Sequence, residues 1–507
     1  MIHPWKNLAE AYGRASRGEK VAVWLVLLCL LPILYFVLNW LSADFDTSGT
    51  AYVMMHLVDR AVHGQPIYAP SASDHVNGGY TPLYIWISAA VCKVFGTSFF
   101  WPRLVSLLSA LGLSLLIGAL VWQNTEGNLL LSVWAPAVLL WTTVIAGFNT
   151  WVVDVNVNGL HAALVVLGFY LLRPPRSVPR IAAAAMAIAL SVLAKQTGLA
   201  YIAAGTVLLA GSSRKEAAIF AAVACVLVGG VFWWLNDSTG GEFFRQTITA
   251  NRGPPWLVQR LVDEVILRVL MGLAGFLTAM TLIGLLQYEE GGFWKSIWKA
   301  EWFLCAAGVG VACIAHPKFG SGPTQDLVAL AGLAVCGSIG LYRLSKRVPP
   351  WLGPRLLLAI PAAQLALVIL PGASFYPMAI LDEHDYATHR QIASVFQSGR
   401  TSMYTIPYIQ RAFGQEPGGY QQGDIDLWKD GRMDVSRKPD ALVKPYRDQQ
   451  FDYVILPAYA SREDTAVRAI LDHYDGIGSI PGHPRGPSGG NTRFDLFVFK
   501  AKRLQGR

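Results

Sequence analysis

The chain has 507 residues, of which 53% are hydrophobic and 15% are charged, and its formal net charge is +8. Soluble globular proteins carry about 25% charged residues, so this composition excludes an ordinary soluble domain. It predicts an α-helical polytopic membrane protein instead. Most of the surplus Lys and Arg lies in short loops between apolar segments, as membrane topology signals do. This distribution argues against a nucleic-acid-binding protein.

In chain order, about eleven apolar segments approach the ~20 residues that cross a bilayer. They are 21–40, 104–122, 129–146, 157–172, 181–194, 199–210, 217–235, 269–286, 302–314, 327–342 and 356–370. With the N-terminus inside, the basic loops between them also lie inside, which satisfies the positive-inside rule. An odd number of spans leaves the C-terminus outside. The sequence therefore predicts a multi-pass protein of the bacterial inner (plasma) membrane with a periplasmic C-terminus.

Residues 80–95 are apolar enough to cross, but an additional span here would place every later basic loop outside. The segment is also short, and aromatic residues gather at its start. We therefore expect it to lie in the outer membrane interface. It then belongs to a large first periplasmic loop, residues 43–102.

Two domains are predicted from a change of composition at Gly372, where the chain becomes polar and charged. Residues 1–371 form the transmembrane domain, and residues 372–507 form a periplasmic soluble α/β domain. In the second domain, alternating apolar residues predict strands at 451–457 and 493–500, and an amphipathic pattern predicts a helix at 462–474.

Two carboxylates, Asp44 and Asp46, follow the first apolar segment directly. Ionisable side chains at the membrane boundary are costly and are therefore functional candidates. The pair suits either a divalent metal, Mg²⁺ or Mn²⁺, or a general base with an orienting partner. In an extended segment both side chains share one face, whereas in a continuing helix they diverge.

The predicted topology gathers further polar residues on the same outer face. Lys195 interrupts an apolar hairpin, and His316 and Lys318 lie in a short loop before the next span; with Arg103, these cations suit a phosphate. Contacts to the acceptor or within the loops are expected from the remaining candidates, which are Asp74, His75, Tyr80 and Asp154.

Four stretches in order along the chain resemble the GT-C superfamily of polytopic glycosyltransferases. They are GQPIY (64–68), GYTPLYIWISAAVCKVFG (79–96), RLVSLLSAL (103–111) and LAKQTGLAY (193–201), after an Asp at the end of the first span. Among GT-C proteins the chain is most similar to bacterial relatives of protein mannosyltransferases and lipid A aminoarabinose transferase.

The resemblance implies an inverting transferase that uses a polyprenyl-phosphate-linked sugar, with a first-loop aspartate as general base. Asp46 or Asp44 takes that position, and Lys195 and Arg103 are candidates for the donor phosphate. The sequence departs from many relatives at Thr47, where they carry a second acidic residue. The Lys-Pro-Pro of aminoarabinose transferases is also replaced, by residues 79–82.

The sequence thus predicts a membrane glycosyltransferase that moves a sugar from a lipid phosphate to a periplasmic glycan, lipid or protein. The absence of a P-loop or dinucleotide fingerprint agrees with a donor that is already activated. Two alternatives stay open. One is a transporter or flippase of lipid-linked glycans, and the other is a glycan ligase that would use Arg245 and Arg252.

Overall fold

A computed structural model gives the architecture of most of the chain. It describes residues 10–13, 15–45, 50–70, 79–145, 152–249, 256–287, 298–318, 323–379, 382–403, 415, 428–429, 432–433, 440–457, 460, 462–483 and 494–504. Three of the predicted site residues, Asp46, Asp74 and His75, lie outside the described residues. What was predicted for them stays a prediction.

Long helices make up most of the described chain up to residue 398. They are α1 Arg17–Leu28, α2 Leu31–Leu41, α3 Thr50–Val62, α4 Leu83–Phe95, α5 Phe100–Asn124, α6 Leu129–Ile145, α7 Asn158–Leu171, α8 Val178–Ala194, α9 Leu199–Ala210, α10 Arg214–Ser238, α11 Gly275–Leu286, α12 Ala300–Ala315, α13 Leu327–Arg347, α14 Gly353–Ala379 and α15 Glu383–Ser398. A π-helical segment, Leu261–Leu273, precedes α11.

Within the described ranges, five helices are long and apolar enough to cross a membrane, among them α1 and α2 taken together, α5 and α10. A bent pair, Val258–Leu273 with α11, adds a sixth. The predicted span 269–286 is therefore not one straight helix. The two parts meet at 80°, because the backbone of Ala274 leaves the helical conformation between them.

Successive helices run between two ends of the bundle. Helix α5 has 25 residues, which at ~1.5 Å per residue makes it about 37 Å long. At one end Arg103 contacts the segment after α2, and at the other end Asn124 bonds to Glu301 at the start of α12. We name these the lip end and the arginine end.

The central helix of the bundle is α13, whose apolar stretch is buried almost all round. Small residues let its neighbours approach closely, which is how helices associate where water supplies no driving force. A Cβ at Gly332 would lie 2.5 Å from Cys305 Cα on α12, and one at Gly340 would clash with the Met280 carbonyl on α11. Helix α13 thereby fixes the spacing of both neighbours.

Helix α4 contains 13 residues, so it rises only about 20 Å against the ~30 Å of a bilayer core. The Tyr84 hydroxyl donates to the Pro102 carbonyl, and the Phe95 ring stacks on Trp101. Both ends of α4 therefore contact the first residues of α5. Helix α9, with 12 residues, is as short, so length does not separate an interfacial helix from a crossing, and the interfacial position of residues 80–95 stays a prediction.

The C-terminal part contains the strands β1 Thr401–Met403, β2 Trp428–Lys429, β3 Arg432–Met433, β4 Tyr453–Pro457, β5 Tyr474–His483 and β6 Phe494–Ala501. Its helices are α16 Asp440–Arg447 and α17 Thr465–His473. Four of the strands form a sheet in the order β1-β4-β6-β5, and β2 and β3 form a small hairpin. Strands β1 and β4 pair in parallel, and β6 pairs antiparallel with β4 and β5. The two strands and the helix that the sequence predicted here are confirmed.

Candidate active site

The acidic lip begins just beyond α2, and its described residues are 43–45. Ala43 and Phe45 are buried, with 2% and 1% of their surfaces exposed, whereas Asp44 between them is exposed. Burial therefore alternates along these three residues. The Asp44 carboxylate consequently faces away from the core that holds Phe45.

Arg103 anchors the lip from the first turn of α5. Its guanidinium is fully buried and donates to the carbonyl oxygens of Trp40 at 3.0 Å and Phe45 at 2.7 Å, and also to that of Ala43. Hydrogen bonds from a charged donor contribute about 1.5–3 kcal/mol each. The side chain predicted to bind the donor phosphate is thus bonded to the lip backbone.

Tyr84 of α4 continues the polar contacts from this point. Its hydroxyl donates to the carbonyl of Pro102 at 2.8 Å and accepts from the amide of Asn156 at 3.1 Å. Asp154, a predicted acceptor contact, is buried two residues earlier and acts electrostatically on the Tyr84 hydroxyl. The segment before α7 is thereby held against α4 and α5.

Lys195 is reached through two amide side chains. The Asn156 side-chain oxygen accepts from the backbone N–H of Asn158 at 2.9 Å, and the Asn158 side-chain oxygen accepts from Lys195 Nζ at 2.5 Å. Lys195 has extended backbone angles between α8 and the turn before α9, and 3% of it is exposed. An ammonium group has three donors, and Asn158 takes one of them.

The return of the first loop lies directly on the Lys195 turn. Gln196 Nε2 donates to the Gly79 carbonyl at 3.1 Å, and the Thr81 hydroxyl donates to the Val192 carbonyl at 2.8 Å. Tyr80, another predicted acceptor contact, is half-buried between these two anchors. The loop that starts at the acidic lip therefore ends beside Lys195.

His316 lies between two carboxylates at the C-terminus of α12. Its Nδ1 is 2.7 Å from Asp326 Oδ2 and its Nε2 is 2.8 Å from Glu264 Oε2. Arg260 donates to both oxygens of Glu264, at 2.8 and 3.0 Å. Burial alone lowers the pKa of His316, but the two carboxylates outweigh it and raise the pKa above its ordinary value. The two carboxylates therefore favour the protonated, positively charged form of the ring.

Asp326 links this group to Lys195. It is fully buried at the start of α13, interacts electrostatically with Lys195, and its Oδ1 has no hydrogen-bond partner among the described residues. Lys318, predicted to bind phosphate, takes part through its backbone, whose carbonyl accepts from Arg260 at 2.7 Å.

The structure thus brings Arg103, Asp154, Lys195 and His316 into neighbouring polar contacts at the lip end, with Tyr80 between the two anchors of the first loop. Sequence reasoning missed the roles of Glu264, Tyr84 and Asn158. An Arg and a Glu four residues apart in a helical segment are a readable pairing signal, whereas nothing in the sequence identifies the Tyr84 contact. Among the described residues, no three His, Cys, Asp or Glu side chains form a group suited to a metal.

Comparison with known proteins rests on solved structures, since no family model and no curated protein sequence matches the chain. ArnT from Cupriavidus metallidurans in the apo state is 11% identical, covers 94% of this chain and 97% of its own, and has a TM-score of 0.60. The same protein bound to undecaprenyl phosphate gives 0.59 with the same identity and coverage.

An archaeal oligosaccharyltransferase, AglB from Archaeoglobus fulgidus in complex with an inhibitory peptide and a dolichol-phosphate, is 11% identical with a TM-score of 0.53. It covers 97% of this chain and 75% of its own. These likenesses show the fold, which is that of a polytopic membrane protein. More particularly, the chain shares the fold of ArnT and AglB.

Proposed function

We propose that the chain is a multi-pass glycosyltransferase that moves a sugar from a polyprenyl-phosphate donor to an acceptor hydroxyl outside the cytoplasm. One observation carries the proposal: within a GT-C fold, successive hydrogen bonds, joined through the chain at Pro102 and Arg103, lead from the acidic lip to the buried Lys195. An acid–base group and cations near one end of a membrane bundle are what this transfer requires.

The proposed topology has eleven crossings. It counts the five long helices, the bent pair, and the shorter apolar helices that also run between the two ends, such as α8 and α9. Helices that are too short for the bilayer can be accommodated by local thinning. Since basic loops gather at the arginine end, we place that end in the cytoplasm and the lip end with residues 372–507 in the periplasm of a bacterial inner membrane.

In the proposed reaction, the Asp46 or Asp44 carboxylate removes the proton of the acceptor hydroxyl. The resulting oxygen attacks the anomeric carbon from the face opposite the phosphate. The bond between that carbon and the phosphate oxygen breaks, and its electron pair leaves with the polyprenyl phosphate. Configuration at the anomeric carbon is inverted, and the proton stays on the carboxylate.

Extra negative charge develops on the departing phosphate, and fixed cations stabilise it more strongly where water is excluded. Lys195 has ammonium hydrogens beyond the one that Asn158 accepts, so we assign it the direct phosphate contact. His316 contributes positive charge nearby, with Lys318 at the loop. We assign Arg103 to holding the lip, because its guanidinium is bonded to three lip carbonyls.

The donor class follows from the same chemistry and from the neighbours. One solved relative in fold was crystallised with undecaprenyl phosphate and another with a dolichol-phosphate. A lipid-linked donor suits a site at the end of a membrane bundle. The acceptor is a periplasmic glycan, lipid or protein that reaches the lip end, near Asp74, His75, Tyr80 and Asp154. The proposal includes a Mg²⁺ or Mn²⁺ ion that Asp44 and Asp46 would bind.

The test compares cell-envelope glycans and lipids by mass spectrometry between the wild type, Asp44→Asn, Asp46→Asn and the double variant. Asp237→Asn is the matched control, since Asp237 is an exposed carboxylate at the end of α10. We expect one defined sugar to disappear in the double variant and in one single variant, and to remain in the control.

Purified protein then separates the alternatives. Transfer from a polyprenyl-phosphate sugar, with or without a chelator, supports the proposal and decides the metal. Transfer of a whole glycan from a lipid pyrophosphate indicates the ligase. Unchanged glycans in cells with folded double variant would overturn the base assignment and favour a transporter.

A further inference from the structure

Two aromatic side chains from the C-terminal part pack against the acidic lip. The Phe45 ring stacks on the imidazole of His389, with centroids 4.6 Å apart and planes 18° apart. Tyr386 meets the same ring edge-on, at 5.2 Å and 87°. Offset-stacked and edge-to-face are the two preferred geometries for aromatic pairs. The buried residue beside Asp44 is thus enclosed by two rings, and we call these three side chains the lip clamp.

Helix α15, which supplies both rings, is itself firmly positioned. Tyr386 and His389 are three residues apart and so share a face. A reciprocal capping box between Asp382 and Asp385 fixes the start of the helix, with backbone-to-carboxylate distances of 3.0 and 3.1 Å. Ile392 lies buried in the same hydrophobic core as Phe45. A rigid helix, rather than a loop, therefore presents the clamp.

We propose that His389 and Tyr386 are positioning residues, which set the direction of the acidic lip from the C-terminal part of the chain. This inference depends on the proposed function for its catalytic consequence, but its structural half stands alone. It assigns residues 382–398 a part in the active site.

Two independent attachments act on the short lip. Arg103 holds its backbone carbonyls from the bundle, and the lip clamp holds its one large side chain from α15. With Phe45 fixed inward, the alternation of the chain turns Asp44 outward. Burial lowers the pKa of His389 while Asp44 acts in the opposite direction, so that carboxylate is within electrostatic range of the clamp. Loss of either ring would free the lip to rotate.

A labelling experiment tests the clamp without any enzyme assay. Ala43→Cys places a thiol at a lip position that is 2% exposed, and the rate of its reaction with a maleimide is followed by peptide mass spectrometry. We expect His389→Ala and Tyr386→Ala to raise this rate at least tenfold. His389→Phe, which keeps a stacked ring, and the control His384→Ala on the same helix leave it within about twofold.

The native thiols of Cys305 and Cys336, both buried, serve as the internal standard for global unfolding. A variant that exposes them is left out of the comparison. Tyr386→Ala then stands in for His389→Ala, and the milder Tyr386→Leu stands in for Tyr386→Ala. Unchanged labelling of the introduced thiol in both ring-deleting variants, with the native thiols protected, would overturn the clamp.

Kinetics of transfer test the catalytic half. We expect His389→Ala to lower kcat about tenfold or more with little change in the acceptor KM, and His389→Phe to restore most of it. If His389→Phe is as slow as His389→Ala while lip labelling stays low, the imidazole charge and not the ring is what matters, and the positioning role is wrong. If the wild type transfers no sugar, the proposed function fails while the labelling result still decides the clamp.

Discussion

The two ends of the bundle both contain buried charges but arrange them differently. At the arginine end, cations pair with single carboxylates in Arg173 with Glu301, Arg176 with Glu216, and Lys346 with Glu126. At the lip end, Lys195 is bonded to an amide and His316 lies between two carboxylates. Matched pairs hold neighbouring helices together. At the lip end Lys195 stands beside the pairs of Arg260 with Glu264 and His316 with Asp326, and it keeps donors for a ligand.

The difference bears on what each set of residues contributes. A buried cation with a single carboxylate partner is neutral as a pair, so its removal is felt as lost stability. Lys195 donates to an amide and makes no direct ion pair with Asp326, which acts on it only electrostatically, so its removal should be felt mainly at the reaction. The following substitutions separate the two outcomes.

The largest effect on stability is expected from Arg173→Ala. Glu301 is 4% exposed and would be left with Asn124, at 3.0 Å, in place of a charged partner. Breaking a buried ion pair by removing one member costs about 3–5 kcal/mol. We expect a clear drop in the unfolding temperature in detergent, with transfer per folded molecule close to that of the wild type. A stable but inactive variant would reverse the roles assigned to the two ends.

Lys195→Ala should give the converse result. Removing one preorganised donor to a developing negative charge lowers kcat by about 10²–10³-fold. The unfolding temperature should change less than in Arg173→Ala, because the lost hydrogen bond is to the neutral Asn158 and Lys195 interacts with Asp326 without a direct ion pair. Steady-state transfer against donor concentration is the measurement, and Lys195→Arg tests whether charge alone is sufficient. Full activity in Lys195→Ala would remove the phosphate contact from the proposal.

His316→Gln tests the charge of the lip-end network through pH. The raised pKa of His316 means that the folded state binds its proton more tightly than the unfolded state does. The stabilisation is complete below the unfolded pKa of about 6.5 and is lost as the pH rises through the folded value. The unfolding temperatures of wild type and variant should therefore differ most at low pH and converge above neutrality. A constant difference from pH 5 to 9 would mean that the ring is neutral.

Much of the bundle could be predicted from the sequence, because long apolar segments and loop charges follow directly from the cost of burying polar groups in lipid. The bend at Ala274 could not, since hydropathy averages over the break. Strands β4 and β6 could be predicted, because the alternation of apolar and polar residues is a local pattern in the sequence.

The candidate site was only partly accessible to sequence reasoning. Lys195 and His316 stood out as ionisable residues beside apolar segments, and the structure brings both into neighbouring polar contacts. The partners of Arg103 are backbone carbonyls some 60 positions away, and His389 reaches Phe45 across most of the chain. Such pairings depend on tertiary packing, which leaves no local pattern in the sequence.

The smallest effect is expected from Lys346→Ala at the arginine end. Its partner Glu126 lies 3.4 Å away, and the two side chains are 60% and 75% exposed. Exposed pairs contribute at most about 1 kcal/mol because water and salt screen them. We expect the unfolding temperature and kcat to stay near wild type. Any small loss of stability should vanish at about 0.5 M salt, where the screening length is on the order of the separation of the two charges. A loss that persists at high salt would show that charge matching at this end extends beyond the buried Arg173 pair, and that the two ends differ less than their contacts indicate.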